Sequence, residues 1–323
     1  MTFSLKKIHK AINWNKEDDN FTQAFWDQNV KQFWLPEEIS ISKDLKVWNE
    51  LSDSERELYK KVLAGLTLLD TKQGNNGIPS MMSLTENLQR KAVLSFMGTM
   101  EEIHAKSYSS IFTTLLSNRE IDELFDWIES ERTLQRKAEL ILEQYENTTD
   151  KKSLYLSMVT SVFLESFLFY SGFFYPLFLA GQGKMVASGE IISLILRDES
   201  LHGKYIGLLA QEMHNEFTEE EKLDLDQRMY TIFNNLMNNE IEYTKLIYKE
   251  SGLVDEVINF LQFNANRALE NLGFEDYFKV EDINPIVLNG LSTETKTHDF
   301  FSTKGNGYQK GKYEELEDED FII

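Results

Sequence analysis

Two stretches of this 323-residue chain carry a glutamate and a histidine three residues apart, Glu101-x-x-His104 and Glu199-x-x-His202. An α-helix turns by about 100° per residue, so side chains at this spacing lie on nearly the same helix face. Each motif therefore presents a carboxylate and an imidazole in one direction. A pair of inward-facing motifs of this kind, with one acid from each of two further helices, is typical of a helix bundle that binds two metal ions.

Tyr108 shares the helix face of the first motif. It lies one turn after His104 and within about 20° of the direction of Glu101. A carboxylate, an imidazole and a phenol on one face suit a redox metal, its ligands and an oxidisable neighbour. The alternative is an ordinary core tyrosine whose hydroxyl group is hydrogen-bonded.

Two more acidic residues interrupt apolar helical stretches. Asp70 follows a pair of leucines, and Glu165 lies within a run of phenylalanine and leucine. Burying an unpaired carboxylate is costly, and metal coordination removes that cost. Asp70 could instead be a carboxylate at a helix end that faces water, whereas Glu165 has no comparable alternative.

These considerations define a set of candidate metal ligands. The set is Asp70, Glu101, His104, Glu165, Glu199 and His202. Its carboxylates and imidazoles can hold two divalent ions if some carboxylates bridge, and the negative charges offset those of the ions. Oxygen-rich sites without sulfur suit Mn or Fe rather than structural Zn, but they do not distinguish Mn from Fe.

Composition excludes several other kinds of site. Lys and Arg total 33 against 54 for Asp and Glu, which gives a net charge of −21. Nucleic-acid binding is not expected, because it requires clustered basic residues. The absence of cysteine excludes disulfides, thiolate metal sites and cysteine nucleophiles. The N-terminal lysines precede no apolar segment, so we expect no signal peptide and a cytoplasmic location.

Helical periodicity dominates the sequence, which predicts an all-α fold without strands. Capping-box patterns predict three helix starts. They are Ser52-x-x-Glu55, Ser83-x-x-Glu86 and Thr218-x-x-Glu221. The first of these helices is predicted to break between Gly74 and Pro79. Asn118 is predicted to cap a single helix over residues 119–146.

Residues 157–181 are apolar enough to suggest a membrane helix. A helix buried on all sides within a large bundle has the same composition. We favour the buried position because the segment is the only one of its kind and contains Glu165. Its aromatic residues are also not confined to its ends. No membrane association is therefore expected.

The composition changes at about residue 303. A Gly-rich stretch precedes an almost wholly acidic run over 314–320, and the chain then ends in Phe-Ile-Ile. The acidic run is typical of a solvated, disordered tail. Its apolar end predicts a short docking peptide that becomes ordered on a partner. We therefore predict a helical di-metal domain over 1–302 and a flexible tail over 303–323.

The motifs together resemble the small, radical-generating subunit of class I ribonucleotide reductase. The residues that carry the resemblance are Phe33-Trp34-x-Pro36-Glu37-Glu38, Leu69-Asp70, Glu101-x-x-His104-x-x-x-Tyr108, Phe163-Leu164-Glu165-x-Phe167 and Arg197-Asp198-Glu199-x-x-His202-Gly203. The resemblance extends from Trp34 to the tail. The compact length and the segment 180–185 are most similar to class Ib.

This resemblance implies a ferritin-like helical homodimer with two metal ions per chain. One ion would be bound by Asp70, Glu101 and His104. The other would be bound by Glu165, Glu199 and His202, with Glu101 and Glu199 bridging. The class Ib resemblance implies a dimanganese centre, with a di-iron centre as the alternative.

The resemblance also implies the roles of residues outside the ligand set. Tyr108 would carry a stable tyrosyl radical. Trp34 and Asp198, with His104, would begin a long-range path for electrons and protons. Asp198 can accept a hydrogen bond from His104 without binding the metal. In the tail, Tyr308 is the better match for the next relay residue and Tyr313 is its rival.

The partners follow from the same resemblance. Nucleotide reduction in this family uses a thiyl radical and redox thiols, and this chain has no cysteine. It would therefore supply the oxidant to a separate large subunit, which docks on the tail and reduces ribonucleotides to deoxyribonucleotides. For class Ib the resemblance also implies a flavodoxin-like activator that delivers a reduced oxygen species to the metal centre.

Two other functions would use the same ligands. A ferritin-like metal-storage protein explains the ligands but not Trp34, Tyr108 or the tail. An oxygen-activating oxidase or monooxygenase requires a substrate cavity beside the metals. Phe169, Phe173 and Ile195 instead predict a closed, dry pocket around Tyr108, although ordinary core packing would use the same residues.

Overall fold

The computed structural model describes residues 8–16 and 19–291. This part of the chain is helical and contains no β-strand, as the periodicity predicts. The α-helices are α1 (Thr22–Lys31), α2 (Leu45–Glu50), α3 (Asp53–Lys72), α4 (Ile78–Leu84), α5 (Leu88–Leu115), α6 (Asn118–Ser130), α7 (Arg132–Glu146), α8 (Lys151–Phe163), α9 (Tyr170–Gly181), α10 (Val186–Asn215), α11 (Glu219–Ile247), α12 (Val254–Asn271) and α13 (Pro285–Leu291). Short 3-10 turns at Pro36–Glu38 and Ile41–Asp44 precede α2.

The bundle is organised around α3, α5, α8 and α10. Helix α3 packs against α5 and α9, and α10 packs against α8 and α9. Helices α8 and α9 are joined by a π-helical segment, Leu164–Leu168, and form one apolar rod over Lys151–Gly181. The bundle buries 94% of the most apolar window of this rod. The rod is therefore the core of the bundle rather than a membrane span, as expected.

Two of the three capping boxes form as predicted. The Ser52 side chain accepts from the backbone N–H of Glu55 at the start of α3, and Thr218 does the same for Glu221 at the start of α11. The prediction of a capping box at Ser83 was wrong, because Ser83 lies within α4 and α5 begins only at Leu88. The reason is that Asn87 is the better cap, and its side chain accepts from the backbone N–H groups of Gln89 and Arg90 in the first turn of α5.

The predicted break between Gly74 and Pro79 was also wrong. The backbone stays helical there, first as a π-helical segment over Gln73–Gly77 and then as α4. A π turn accommodates one extra residue without ending the helix. Pro79 lies in the first turn of α4, where a missing N–H group costs little.

The single helix predicted over 119–146 is two helices. Ser117, not Asn118, caps α6, and Glu120 completes a capping box there. Glu131 has an extended backbone, and its side chain accepts from the N–H of Thr133 at the start of α7. A glutamate that caps the following turn therefore separates α6 from α7.

Candidate metal centre

Four parts of the bundle converge on one buried cluster of acids and histidines. Helix α3 contributes Asp70 near its end, and α5 contributes the first Glu-x-x-His motif. The π-helical segment between α8 and α9 contributes Glu165, and α10 contributes the second motif. Each of the six side chains is 0% exposed. The fold thus brings together all six candidate ligands, which are separated widely in the sequence.

The cluster divides into two overlapping groups. One group is Asp70, Glu101, His104 and Glu199, and the other is Glu101, Glu165, Glu199 and His202. Within each group, one potential ligand atom per residue lies within 4.8 Å of the others. Glu101 and Glu199 belong to both groups, which is the geometry that two bridging carboxylates require.

The two imidazoles face carboxylates from opposite helices. Nδ1 of His104 lies 2.8 Å from Oε1 of Glu199, and Nδ1 of His202 lies 3.0 Å from Oε1 of Glu101. The two imidazole rings are 6.1 Å apart and nearly parallel. The histidine of each Glu-x-x-His motif therefore lies beside the glutamate of the other motif.

Most ligand atoms of the cluster make no hydrogen bond of good geometry with the residues that the structure describes, although Nδ1 of each histidine lies close to a glutamate oxygen. The atoms without such a hydrogen bond include both oxygens of Asp70, Glu101 and Glu199, Oε2 of Glu165, Nδ1 of His104 and both ring nitrogens of His202. Buried polar atoms are almost always paired. An arrangement of oxygen and nitrogen donors with no partner fits two divalent cations, which would satisfy them.

Electrostatics lead to the same conclusion. Burial raises the pKa of Asp70 well above its usual range, and the charges of Glu199 and Glu101 raise it further. Burial and the charge of Glu101 likewise raise the pKa of Glu165. The cluster therefore holds excess negative charge that only cations or protons can balance, and cation binding would release protons.

Tyr108 is fully buried on α5 beside this cluster. Burial raises the pKa of its phenol well above the usual range, and Asp70 is the charged group that contributes most to the remaining increase. The hydroxyl group lacks a geometrically sound hydrogen bond to any described residue. Phe169, Phe173 and Ile195 are each 0% exposed and belong to the same apolar core as Tyr108.

Asp198 connects Trp34 to the cluster. Its Oδ2 accepts from the indole Nε1 of Trp34 at 2.7 Å and lies 3.2 Å from Nε2 of His104. The indole and imidazole rings are 6.1 Å apart and stacked. Gln32 donates to the other carboxylate oxygen at 2.7 Å. The sequence reasoning missed Gln32, and no motif distinguishes it from other glutamines.

Gln73, Ser161 and Tyr145 form a buried hydrogen-bonded group beside Glu165 and were not predicted. Gln73 lies three residues after Asp70, on the same helix face, and this spacing was the available signal.

Tyr308 and its rival Tyr313 lie outside the described residues.

Comparison with known proteins identifies the family. The sequence profile of the family described as "Ribonucleotide reductase, small chain" matches residues 11–285. The chain belongs to this family. Its activity is that of ribonucleoside-diphosphate reductase, in which the small chain works with a large subunit, and small chains of this family are typically dimeric.

Full-length relatives support the assignment. The chain is 56% identical over 322 residues to the ribonucleoside-diphosphate reductase subunit beta of Bacillus subtilis (strain 168), which covers 99% of this chain and 98% of that protein. It is 41% identical over 314 residues to the ribonucleoside-diphosphate reductase 2 subunit beta of Escherichia coli (strain K12), covering 96% and 97% of the two chains.

A solved structure supports both the fold and the metal centre. The dimanganese(II)-NrdF of Streptococcus sanguinis superimposes with a TM-score of 0.85 at 45% identity, covering 88% of this chain and 100% of that chain. The fold is therefore the ferritin-like helical bundle of small ribonucleotide reductase chains, with a di-metal centre. Metal storage and a free-standing oxidase are not favoured.

Proposed function

We propose that this small chain uses a dimanganese centre to generate and store a radical on Tyr108, and then passes the oxidising equivalent to the large subunit. Support for manganese comes from the oxygen-rich donor set and from the dimanganese(II) relative. Iron is the alternative metal, because both ions accept such ligands.

The ligand assignment is part of this proposal. One ion would be held by Asp70, Glu101 and His104, and the other by Glu165, Glu199 and His202. The overlap of the two groups at Glu101 and Glu199 supports these two carboxylates as bridges.

The single observation that carries the radical proposal is the position of Tyr108. Its phenol is fully buried, and the charge of Asp70 in the cluster helps to raise the pKa of this phenol. A metal pair held by these residues would supply the oxidising chemistry, and the phenol of Tyr108 would give up one electron and one proton. Tyr108 lies in the buried apolar core, and this position would keep out water and reductants, which is what a long-lived radical requires.

The route out of the protein begins at Asp198. We propose that Asp198 links His104 to Trp34 for the coupled transfer of a proton and an electron, because it contacts both residues. A tail tyrosine, Tyr308 in preference to Tyr313, would continue the route into the large subunit. This proposal divides the chain into a helical di-metal domain over 1–302 and a docking tail over 303–323.

The remaining proposals concern partners and location. A flavodoxin-like activator would supply a reduced oxygen species to the dimanganese centre, as the class Ib resemblance implies. We also propose a homodimer in the cytoplasm. The net charge of −21 supports neither nucleic acid nor an anionic membrane surface as a partner.

Electron paramagnetic resonance with metal analysis tests the central proposal. The full chain would be loaded with Fe(II) and oxygen, or with Mn(II), the activator and oxygen. We expect about two metal ions per chain and a tyrosyl signal in the loading that matches the physiological metal. Tyr108→Phe should abolish that signal and keep the metal content.

Tyr155→Phe is the matched control, because Tyr155 is another buried tyrosine and packs against His214 and Phe217 instead of the cluster. It should keep the signal. Two bound ions with no radical under either loading would overturn the radical proposal and return the oxidase or storage function to consideration.

The tail relay has its own test. Tyr308→Phe should abolish nucleotide reduction in the complex with the large subunit while leaving the Tyr108 radical intact. Tyr313→Phe should leave turnover unchanged. Full activity in both variants would refute a tail tyrosine relay.

A further inference from the structure

Gln73 is a fully buried neutral side chain at the edge of the metal centre. It lies three residues after Asp70 and begins the π-helical segment Gln73–Gly77. Glu165 lies in the other π-helical segment of the described chain, Leu164–Leu168. The two π turns meet at the cluster, and such turns are frequent at functional sites because they redirect side chains.

Both the NH2 group and the carbonyl oxygen of the Gln73 side chain form hydrogen bonds. Nε2 donates to Oε1 of Glu165 and to Oγ of Ser161, the latter at 2.6 Å. Oε1 accepts a hydrogen bond from the hydroxyl group of Tyr145 at 2.7 Å. Gln73 is therefore held from two sides by partners on α7 and α8 while it contacts Glu165.

These partners define the direction in which the amide points. The ionised carboxylate that would bind a metal can only accept hydrogen bonds, so it requires the NH2 end of the amide. The Tyr145 hydroxyl group donates to the carbonyl end. Reversing the amide would place its carbonyl oxygen against Glu165 and lose the favourable contact.

The contact makes the two oxygens of Glu165 unequal. Oε1 is occupied by Gln73, whereas Oε2 has no hydrogen-bond partner among the described residues and lies 3.8 Å from Nδ1 of His202. Both oxygens of Asp70, at the other end of the cluster, have no such partner. One oxygen of Glu165 is therefore engaged in a hydrogen bond, whereas neither oxygen of Asp70 is.

We propose that Gln73 is a positioning residue that directs Oε2 of Glu165 toward the second metal ion, and that Tyr145 sets the orientation of Gln73. This inference rests on the proposed assignment of Glu165 as a ligand. Because Asp70 and Gln73 follow one another along one helical stretch, the same stretch serves both metal positions.

Gly77 provides the space for this arrangement. A Cβ atom at residue 77 would overlap Oε1 of Gln73 and lie 2.8 Å from the Tyr145 ring. The glycine thus lets the hydroxyl group of Tyr145 reach the amide. The contact between Gln73 and Tyr145 depends on an absent side chain as well as on the two residues that form it.

A titration of the full-length, metal-free chain with Mn(II) tests the proposal. Free and bound Mn(II) would be measured by electron paramagnetic resonance in the wild type, Gln73→Met, Tyr145→Phe and Glu165→Ala. We expect Gln73→Met to keep the first Mn(II) affinity and to weaken the second by about 10- to 100-fold, the usual effect of removing a partner of a metal ligand. Tyr145→Phe should weaken the second site by a smaller factor.

Gln89→Met is the matched control. Gln89 is equally buried, but its amide donates to the backbone carbonyls of Asn13 and Lys16 instead of a cluster residue. It should leave both Mn(II) affinities unchanged. A general loss of packing would affect this variant and Gln73→Met alike, and it would lower both affinities together.

The outcomes separate this inference from the proposed ligand set. If Glu165→Ala loses the second ion but Gln73→Met and Tyr145→Phe bind as the wild type does, Gln73 does not position Glu165 and the ligand set stands. If Glu165→Ala still binds both ions, the ligand set fails and this inference fails with it. If Gln73→Met does not fold, Tyr145→Phe decides, because it removes only a hydroxyl group.

Discussion

The indole nitrogen of Trp34 donates a 2.7 Å hydrogen bond to Oδ2 of Asp198. The same oxygen lies 3.2 Å from Nε2 of His104, so one carboxylate touches both the tryptophan and a histidine of the metal cluster. Asp198 is 1% exposed. A continuous, buried contact therefore leads from Trp34 to the centre of the bundle.

Asp198→Ala should lower the stability of the chain and abolish turnover but leave metal binding unchanged. The substitution leaves the donors of Trp34 and Gln32 buried without an acceptor, and each such group costs about 1–3 kcal/mol. Urea unfolding of the metal-free chain should show this loss. Nucleotide reduction with the large subunit should be lost, while two Mn(II) ions per chain should still bind, because Asp198 is not a proposed ligand.

Gln32→Met is the control for this experiment, because it removes one donor to Asp198 and leaves the contact between Trp34 and Asp198 in place. It should retain turnover. Normal turnover in Asp198→Ala would exclude Asp198 from the radical path.

Asp44→Ala should destabilise the start of α10. Asp44 is buried and accepts from the backbone N–H groups of Ser188, at 2.7 Å, and Ala187, at 3.1 Å. Met185 precedes the helix with a left-handed φ of 51° and provides no side-chain cap. Losing a cap of this kind costs about 1–2 kcal/mol. Chemical denaturation would measure it.

Ser188→Ala provides the comparison, because it removes only the hydroxyl contact to Asp44 and keeps both backbone contacts. Its loss of stability should be the smaller one. An unchanged unfolding midpoint in Asp44→Ala would show that water replaces the cap.

The buried pair of Lys137 and Glu240 should show strong coupling. Nζ of Lys137 lies 2.6 Å from Oε2 of Glu240 and 3.9 Å from the ring centre of Tyr243. Removing one partner leaves a buried charge, so Lys137→Met should cost about 3–5 kcal/mol. The double variant Lys137→Met with Glu240→Leu should recover most of that loss, and a double-mutant cycle in urea would measure the coupling.

The neighbouring pair of Arg136 and Glu139 is the matched control. Its side chains are 58% and 69% exposed, at an ion-pair distance of 3.1 Å. An exposed pair contributes about 1 kcal/mol or less. Equal coupling energies for the two pairs would contradict the effect attributed to burial.

Stability should fall at alkaline pH because of buried tyrosines. Burial raises the pKa of Tyr59, Tyr205 and Tyr243 above the usual range. The unfolded chain loses these phenolic protons at about pH 10 and the folded chain only at higher pH. The folded state then holds more protons, so the free energy of unfolding decreases as pH rises above about 10.

Urea midpoints measured between about pH 8 and pH 11 would show this decrease. Tyr59→Phe should make the decrease less steep, because one buried phenol is removed. A constant free energy of unfolding across this range would contradict the prediction.

Local patterns predicted a large part of the fold. The boxes at Ser52 and Thr218 mark the starts of α3 and α11, because a cap needs only residues of its own turn. The same locality explains the errors. Ser83 matches the box pattern, but Asn87 competes for the start of α5 and prevails. The π-helical segment over Gln73–Gly77 is held by contacts to distant residues, which a local pattern does not contain.

The candidate ligands were also accessible from spacing. Glu101 and His104 share a helix face in any α-helix, and Glu165 interrupts a run that must be buried. Gln73 shares the helix face of Asp70, but this spacing does not show which residues its side chain contacts. Its interest comes from its hydrogen bonds to Ser161, Glu165 and Tyr145, all of which are remote in the chain.

The sequence by itself determined the helical class, the two Glu-x-x-His motifs and the family resemblance, since each depends on residue type and on spacing within a few turns. Tertiary structure decided which side chains meet. Asp44 reaches the start of α10, Gln73 reaches Glu165, and Lys137 reaches Glu240 only because distant helices pack together. Periodicity defines the face that a residue occupies, whereas the packing of the whole bundle selects its partner on the opposite face.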